Sequence, residues 1–239
     1  MGNAVVYFEV GAADEAALKR FYAELFDWQI EPFGGNYSSI DTRAGSGING
    51  GIGRSSDGTP WASFYVEVDD PQVVLDKAAS LGGKTVVPVT EIPNVLTWAM
   101  LSDPDGLLIG LFKSSGALRL QPSVGSGAPI DWFEVLGSDG ERTRAFYSNL
   151  FGWQAGGAGP YLMVDTGAGR GIQGGLGDGG GSTWATVYAH VPDVAATLAR
   201  AEQLGGRREY GPNQVDDHMR TGALRDPAGN VIGIYELQH

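Results

Sequence analysis

One stretch of nine residues constrains this chain more than any other, because it is written twice. Phe21-Tyr22-Ala23-Glu24-Leu25-Phe26-Asp27-Trp28-Gln29 returns 125 residues later as Phe146-Tyr147-Ser148-Asn149-Leu150-Phe151-Gly152-Trp153-Gln154. Phe21, Leu25 and Trp28 recur at i, i+4 and i+7, with Tyr22, Phe26 and Gln29 as an adjacent row. That spacing predicts a helix over about 14–28 whose apolar stripe is wide enough to cover a sheet. Asp14 and Asp139 precede the two copies, where a helix N-terminus favours negative charge.

The rest of the chain repeats with it. Asp131-Trp132-Phe133-Glu134-Val135 answers Val6-Tyr7-Phe8-Glu9-Val10, and Trp184 to Val191 answers Trp61 to Val68. Leu204-Gly205-Gly206 answers Leu81-Gly82-Gly83, and Asp226-Pro227-Ala228-Gly229 answers Asp103-Pro104-Asp105-Gly106. Strands are expected at about 4–10, 37–41, 61–68, 84–88, 96–102 and 107–112, and the glycine-rich run 45–53 reads as a turn-rich return. Asp69-Asp70-Pro71 starts a second helix, which stops at Gly82-Gly83. Each half thus divides again into strand, helix and several strands. The expected architecture is α+β: four βαβββ modules in two tandem domains, 1–113 and 129–239, joined by a linker over 114–128.

At 239 residues there is room for two cores. With no cysteine, disulfides, thiolate metal sites and cysteine nucleophiles are excluded, which suits a reducing cytoplasm. No apolar run approaches a membrane span, and the first residues lack a signal pattern. A net charge of −12 without a basic block argues against nucleic acid or an anionic membrane as partner. The glycines of 47–51 precede no helix, so they are not a dinucleotide fingerprint. Monomer and homodimer are both open.

Four modules, Phe-Tyr-x-x-Leu-Phe-x-Trp after the first strand, and Asp-Pro-x-Gly before the last strand resemble the vicinal oxygen chelate superfamily. That superfamily includes glyoxalase I, extradiol dioxygenases and the fosfomycin- and bleomycin-resistance proteins. The nearest subgroup is similar to the two-domain glyoxalase/bleomycin-resistance-like proteins of actinobacteria. The resemblance implies metal ligands at one position on the first strand, one on the fifth and a glutamate on the last. Those positions hold Tyr7, Ser63 and Gly110 in one copy and Trp132, Thr186 and Gly233 in the other. Neither set supplies the usual nitrogen and carboxylate donors, so degenerate metal sites, no metal and no cofactor are expected.

Strand alternation places further side chains on the faces of those positions. Glu9 joins Tyr7, and Glu134 joins Trp132. Trp61, Ser63, Tyr65 and Glu67 share a face, answered by Trp184, Thr186, Tyr188 and His190. Trp98 and Met100 should join the first cup, Met219 and Thr221 the second, with Arg220 available to grip a ligand group. Such aromatic cups suit a planar ligand. The favoured expectation is a metal-independent protein that binds an antibiotic or polyketide-like natural product. The first alternative is a cofactor-free enzyme of natural-product metabolism catalysing isomerisation, cyclisation or hydration, with Glu134, His190 and Glu9 as acid–base candidates. A metal-dependent glyoxalase or dioxygenase is the disfavoured alternative.

Overall fold

A computed structural model describes residues 2–55, 57–115, 120–157 and 159–238. Residues 116–119 of the expected linker, and His239, lie outside this set. The first module comprises β1 (Val5–Ala12), α1 (Glu15–Phe26), β2 (Gln29–Gly34), β3 (Tyr37–Asp41) and β4 (Asn49–Arg54). The second comprises β5 (Trp61–Glu67), α2 (Pro71–Ser80), β6 (Lys84–Ile92), β7 (Leu96–Ser102) and β8 (Leu108–Ser114). The third holds β9 (Ile130–Gly137), α3 (Gly140–Phe151), β10 (Gln154–Gly156), β11 (Tyr161–Asp165) and β12 (Gln173–Asp178). The fourth holds β13 (Trp184–His190), α4 (Val194–Gln203), β14 (Arg207–Asp216), β15 (Met219–Arg225) and β16 (Val231–Leu237). Two eight-stranded mixed sheets result, ordered β2-β3-β4-β1-β5-β8-β7-β6 and β10-β11-β12-β9-β13-β16-β15-β14. The fold is α+β with four βαβββ modules.

The helix starts follow from their caps. Asp14, Asp70, Asp139 and Asp193 each accept a hydrogen bond from a first-turn backbone N–H, and Pro71 occupies the first turn of α2. The helix α1 is shorter than its apolar period predicts. Asp27 turns left-handed at φ 57°, so Trp28 leaves the helix and Gln29 becomes the exposed start of β2. Gly152 makes the same turn in α3 at φ 74° without a side chain to strain.

The run 45–53 contains a strand, β4, where composition predicts a turn. Its glycines are covered by rings rather than by solvent. A Cβ on Gly50 would lie 2.5 Å from the Phe8 ring, and one on Gly51 would lie 1.9 Å from the Tyr37 hydroxyl. Gly174 and Gly175 in β12 stand in the same relation to Phe133 and Tyr161. The second part of the expected linker over 114–128 is also fastened. Ser123 N–H donates to Asp41 (2.9 Å), and Asn49 donates to the Gln121 carbonyl (3.2 Å). The Trp28 indole donates to the Ala128 carbonyl at 2.8 Å.

Two compact units divide the chain, and they do not follow its two halves. One is Met1–Tyr7, Ser63–Leu120 and Trp132–Ala185; the other is Phe8–Ala62, Gln121–Asp131 and Thr186–His239. In the first unit α2 packs on α3, and Tyr147 of α3 donates to Asp103 at 3.1 Å. In the second α1 packs on α4, and Tyr22 of α1 donates to Asp226 at 2.9 Å. The helix tyrosine of each copy therefore bonds the Asp-Pro-x-Gly aspartate of the other copy. The second carboxylate oxygen of Asp226 accepts the N–H groups of Ala228, Gly229 and Asn230, each at 2.9 Å. Asp103 likewise accepts from Asp105 and Leu107 at 2.9 and 2.8 Å. Burial raises the pKa of both aspartates despite these bonds, and burial beside a carboxylate lifts both tyrosines well above their ordinary value.

Each of Tyr22→Phe and Tyr147→Phe should cost about 1–3 kcal/mol in urea unfolding, because a buried carboxylate loses a donor. An aspartate raised on folding contributes stability below its unfolded pKa, near about 4, that is lost as pH rises through the folded value. Asp226→Asn should therefore flatten the fall of unfolding free energy that sets in as pH rises above about 4. A wild-type slope retained in the variant would assign that pH dependence elsewhere.

Candidate functional site

The two first-strand glutamates sit in matching clusters. In the second unit Glu9 accepts the Trp61 indole N–H at 3.1 Å and the Tyr37 hydroxyl at 3.4 Å. In the first unit Glu134, buried at 8% exposure, accepts the Trp184 indole N–H at 2.7 Å. Trp132 donates to the Tyr161 hydroxyl at 3.1 Å. Each carboxylate thus orients an indole at the start of the fifth-strand equivalent. Glu134 and His190 belong to different compact units, so the structure groups each of them with other partners.

The positions where the resemblance implies metal ligands do not fit a metal. Ser63 and Thr186 turn their hydroxyls onto the carbonyls of Leu108 (2.7 Å) and Val231 (2.6 Å). A Cβ on Gly110 would lie 2.3 Å from the Tyr65 ring, and one on Gly233 would lie 2.4 Å from the Tyr188 ring. The space a last-strand glutamate needs is filled by a phenol in both copies. Among the described residues no group of three His, Asp or Glu side chains is placed to hold a metal ion.

Those two rings organise one row across each set of strands. In the first unit Tyr65 of β5 is in register with Gly110 of β8, Gly110 with Met100 of β7, and Met100 with Val87 of β6. In the second, Tyr188 pairs with Gly233, Gly233 with Ala223 and Ala223 with Tyr210. Where Met100 fills the row in the first copy, Ala223 leaves room in the second. Tyr210 reaches over it, and its hydroxyl lies 3.0 Å from that of Tyr188. Tyr7 meets Tyr65 edge to face at 6.2 Å in the first unit. Sequence reasoning missed Tyr210 and Ala223; the signal was the paired exchange of Val87 and Met100 for them at one constant offset.

The next row separates the copies further. His190 stacks on Tyr235, centroids 4.7 Å apart and planes 9° from parallel. The Tyr235 hydroxyl reaches both oxygens of Asp131, at 2.9 and 3.0 Å. Burial raises Asp131, opposed by the Tyr235 hydrogen bond and the nearby His190 charge, while burial beside Asp131 raises Tyr235 above the ordinary phenol value. Glu67 occupies the His190 position in the first copy and lies 2.5 Å from the Arg170 guanidinium, though outside hydrogen-bond geometry. Trp98 is half-buried in register with Phe112, and Thr221 pairs with Tyr235. Met219 stands at the start of β15, while Arg220 is exposed and engaged with Gln214 (2.8 Å) and Glu236 (3.4 Å).

Known proteins bear on this arrangement. Residues 129–234 match the Glyoxalase/Bleomycin resistance protein/Dioxygenase superfamily. The chain is 26% identical over 251 residues to CFP32 of Mycobacterium tuberculosis, covering 95% of this chain and 92% of that protein. It is 24% identical over 273 residues to the anthracycline biosynthesis protein DnrV of Streptomyces peucetius, covering 99% and 94%. The fold matches the Mn(II)-bound glyoxalase of Novosphingobium aromaticivorans with a TM-score of 0.69 at 14% identity, over 98% of this chain and 82% of that one.

Putting a side chain back at the last-strand position should collide with the ring already there. Gly233→Glu should lower stability by about 1–3 kcal/mol, as overpacking does, and added Mn(II) should not restore it. The cost should shrink in a Tyr188→Ala background, a coupling that a double-mutant cycle in urea measures. Additive costs would mean that the ring does not hold the space.

Proposed function

We propose that this member of the Glyoxalase/Bleomycin resistance protein/Dioxygenase superfamily binds a planar, polyketide-like aromatic compound without using a metal. The observation that carries the reading is the replacement at Gly110 and Gly233. Where the superfamily resemblance implies a carboxylate ligand, a tyrosine ring lies over a glycine, in register with Met100 in one copy and reached by Tyr210 in the other. Rings and a thioether offer broad polarizable contact to a flat ligand, and a few hydroxyls fix its orientation. The similarity to an anthracycline biosynthesis protein supports the same ligand class and a place in antibiotic biosynthesis. The cytoplasm suits a cysteine-free chain of this kind.

A second reading, a cofactor-free proton-transfer enzyme, is favoured by one observation. His190 stands in a cluster with Tyr235 and Asp131 that the first copy lacks.

Titration with 1,4-dihydroxyanthraquinone, a planar tricyclic probe, should quench tryptophan emission saturably and equally with or without chelator. Trp98→Ala should weaken that binding about tenfold, or 1.4 kcal/mol. Trp28→Ala should leave affinity unchanged, since Trp28 is buried at 3% exposure and its indole is committed to Ala128. No saturable quenching, or a requirement for divalent metal, would overturn the reading.

A further inference from the structure

We propose that His190 is the proton acceptor of a site for enolisable planar ketones, held in place by Tyr235 and Asp131 as positioning residues. This rests on the binding of planar aromatics and adds a reaction to it.

The duplication supplies an internal control. At the equivalent offsets the first copy has Val6, Phe112 and Glu67 where the second has Asp131, Tyr235 and His190. Val6 and Phe112 are each 2% exposed, so apolar residues satisfy the fold at those places. A largely buried carboxylate costs stability unless it is paired, and the fold does not require one here. All three positions differ together, and the three side chains touch in sequence: imidazole on phenol, phenol hydroxyl on carboxylate. Such a chain of contacts holds the imidazole in one place: its plane is set by the Tyr235 ring, and that ring is set in turn by the bond of its hydroxyl to Asp131.

Strand alternation sets His190 on the face of Tyr188, whose ring covers Gly233 and whose hydroxyl meets that of Tyr210. The other groups brought to this row are Asp131 from β9, Tyr235 from β16 and the non-titrating Thr221 from β15, paired with Tyr235. A ketone whose ring plane packs on the tyrosines would bring an acidic carbon, conjugated with its carbonyl directly or through an aromatic ring, toward the imidazole edge. A ring nitrogen of His190 takes the proton from that carbon. The C–H electron pair enters the conjugated system that ends at the carbonyl, and the charge passes to the ketone oxygen. Return of the proton to carbon restores both partners, so no oxidant, reductant or metal enters the balance. Imidazole suits this transfer because its charge changes near neutral pH.

The test uses the full chain and anthrone, a flat tricyclic ketone with acidic C10 protons, in D2O. Deuterium entry at C10 is followed by NMR, and binding by tryptophan emission. The protein should accelerate exchange over buffer on the order of 10²-fold. His190→Gln should remove that acceleration while anthrone affinity changes by less than about threefold, since amide and imidazole are similar in size. Tyr235→Phe, which restores the residue of the first copy and so packs, should lower the exchange rate with affinity kept. Asp131→Asn should lower it and alter its pH profile with affinity kept, because the carboxylate that holds the Tyr235 hydroxyl is gone. Exchange persisting in His190→Gln, or Tyr235→Phe and Asp131→Asn leaving rate and profile unchanged, would overturn the assignment. Binding without exchange would overturn it too and leave the binding reading intact. No binding of anthrone would overturn both.

Discussion

A buried hydrogen bond from a helix tyrosine to a turn aspartate, made twice, is what the rest of this structure depends on. Tyr22 and Tyr147 lie on the apolar faces of α1 and α3, and their hydroxyls cannot be buried without acceptors. Asp226 and Asp103 are those acceptors, and each also gathers the backbone N–H groups of its own tight turn. The bond therefore fixes a helix to the turn that starts a last strand. It crosses between copies both ways, linking residues 204 apart in one unit and 44 apart in the other. That exchange accounts for compact units that combine the first module with the fourth and the second with the third.

With helices and turns tied down on one side, the other faces of the strands are free to vary. There the two copies have diverged by compensating sets of residues. Val87 and Met100 answer Tyr210 and Ala223, conserving the filling of one row while changing it from thioether to phenol. Val6, Phe112 and Glu67 answer Asp131, Tyr235 and His190, exchanging two apolar residues and an ion-paired carboxylate for a linked acid, phenol and imidazole. The glycines Gly110 and Gly233 stay glycine in both, because a tyrosine ring lies where a side chain would begin. The first copy's row is thus thioether and ring, while the second's adds hydroxyls and an imidazole.

Much of the fold was legible because it is written in local periods: the i, i+4, i+7 rows, the aspartate caps and the Asp-Pro-x-Gly turns. The exchange between copies was not, since two copies of the same motif give no local sign of which helix meets which turn. The strand β4 was hidden by glycines that read as turn residues until Phe8 and Tyr37 are seen lying across them. Of the candidate site, the aromatic positions followed from alternation within single strands. Tyr210, Tyr235 and Asp131 did not, because their partners come from other strands and depend on registers with bulges, as along β14. Glu9 and Glu134 illustrate the same limit: their strand position was legible, but the indoles they hold lie about 50 residues away.

The central claim is that a flat ligand seats on the ring-covered glycine rows where metal ligands would otherwise stand. The most direct measurement is the methyl resonance of Met100, buried at 7% exposure in the row of Gly110 and Tyr65. In methyl-labelled protein, saturation with 1,4-dihydroxyanthraquinone in the presence of chelator should move that resonance upfield, as a ring stacked beside the thioether methyl would. A Met100 resonance that stays in place at saturation, or moves only after a divalent metal is supplied, would contradict the account.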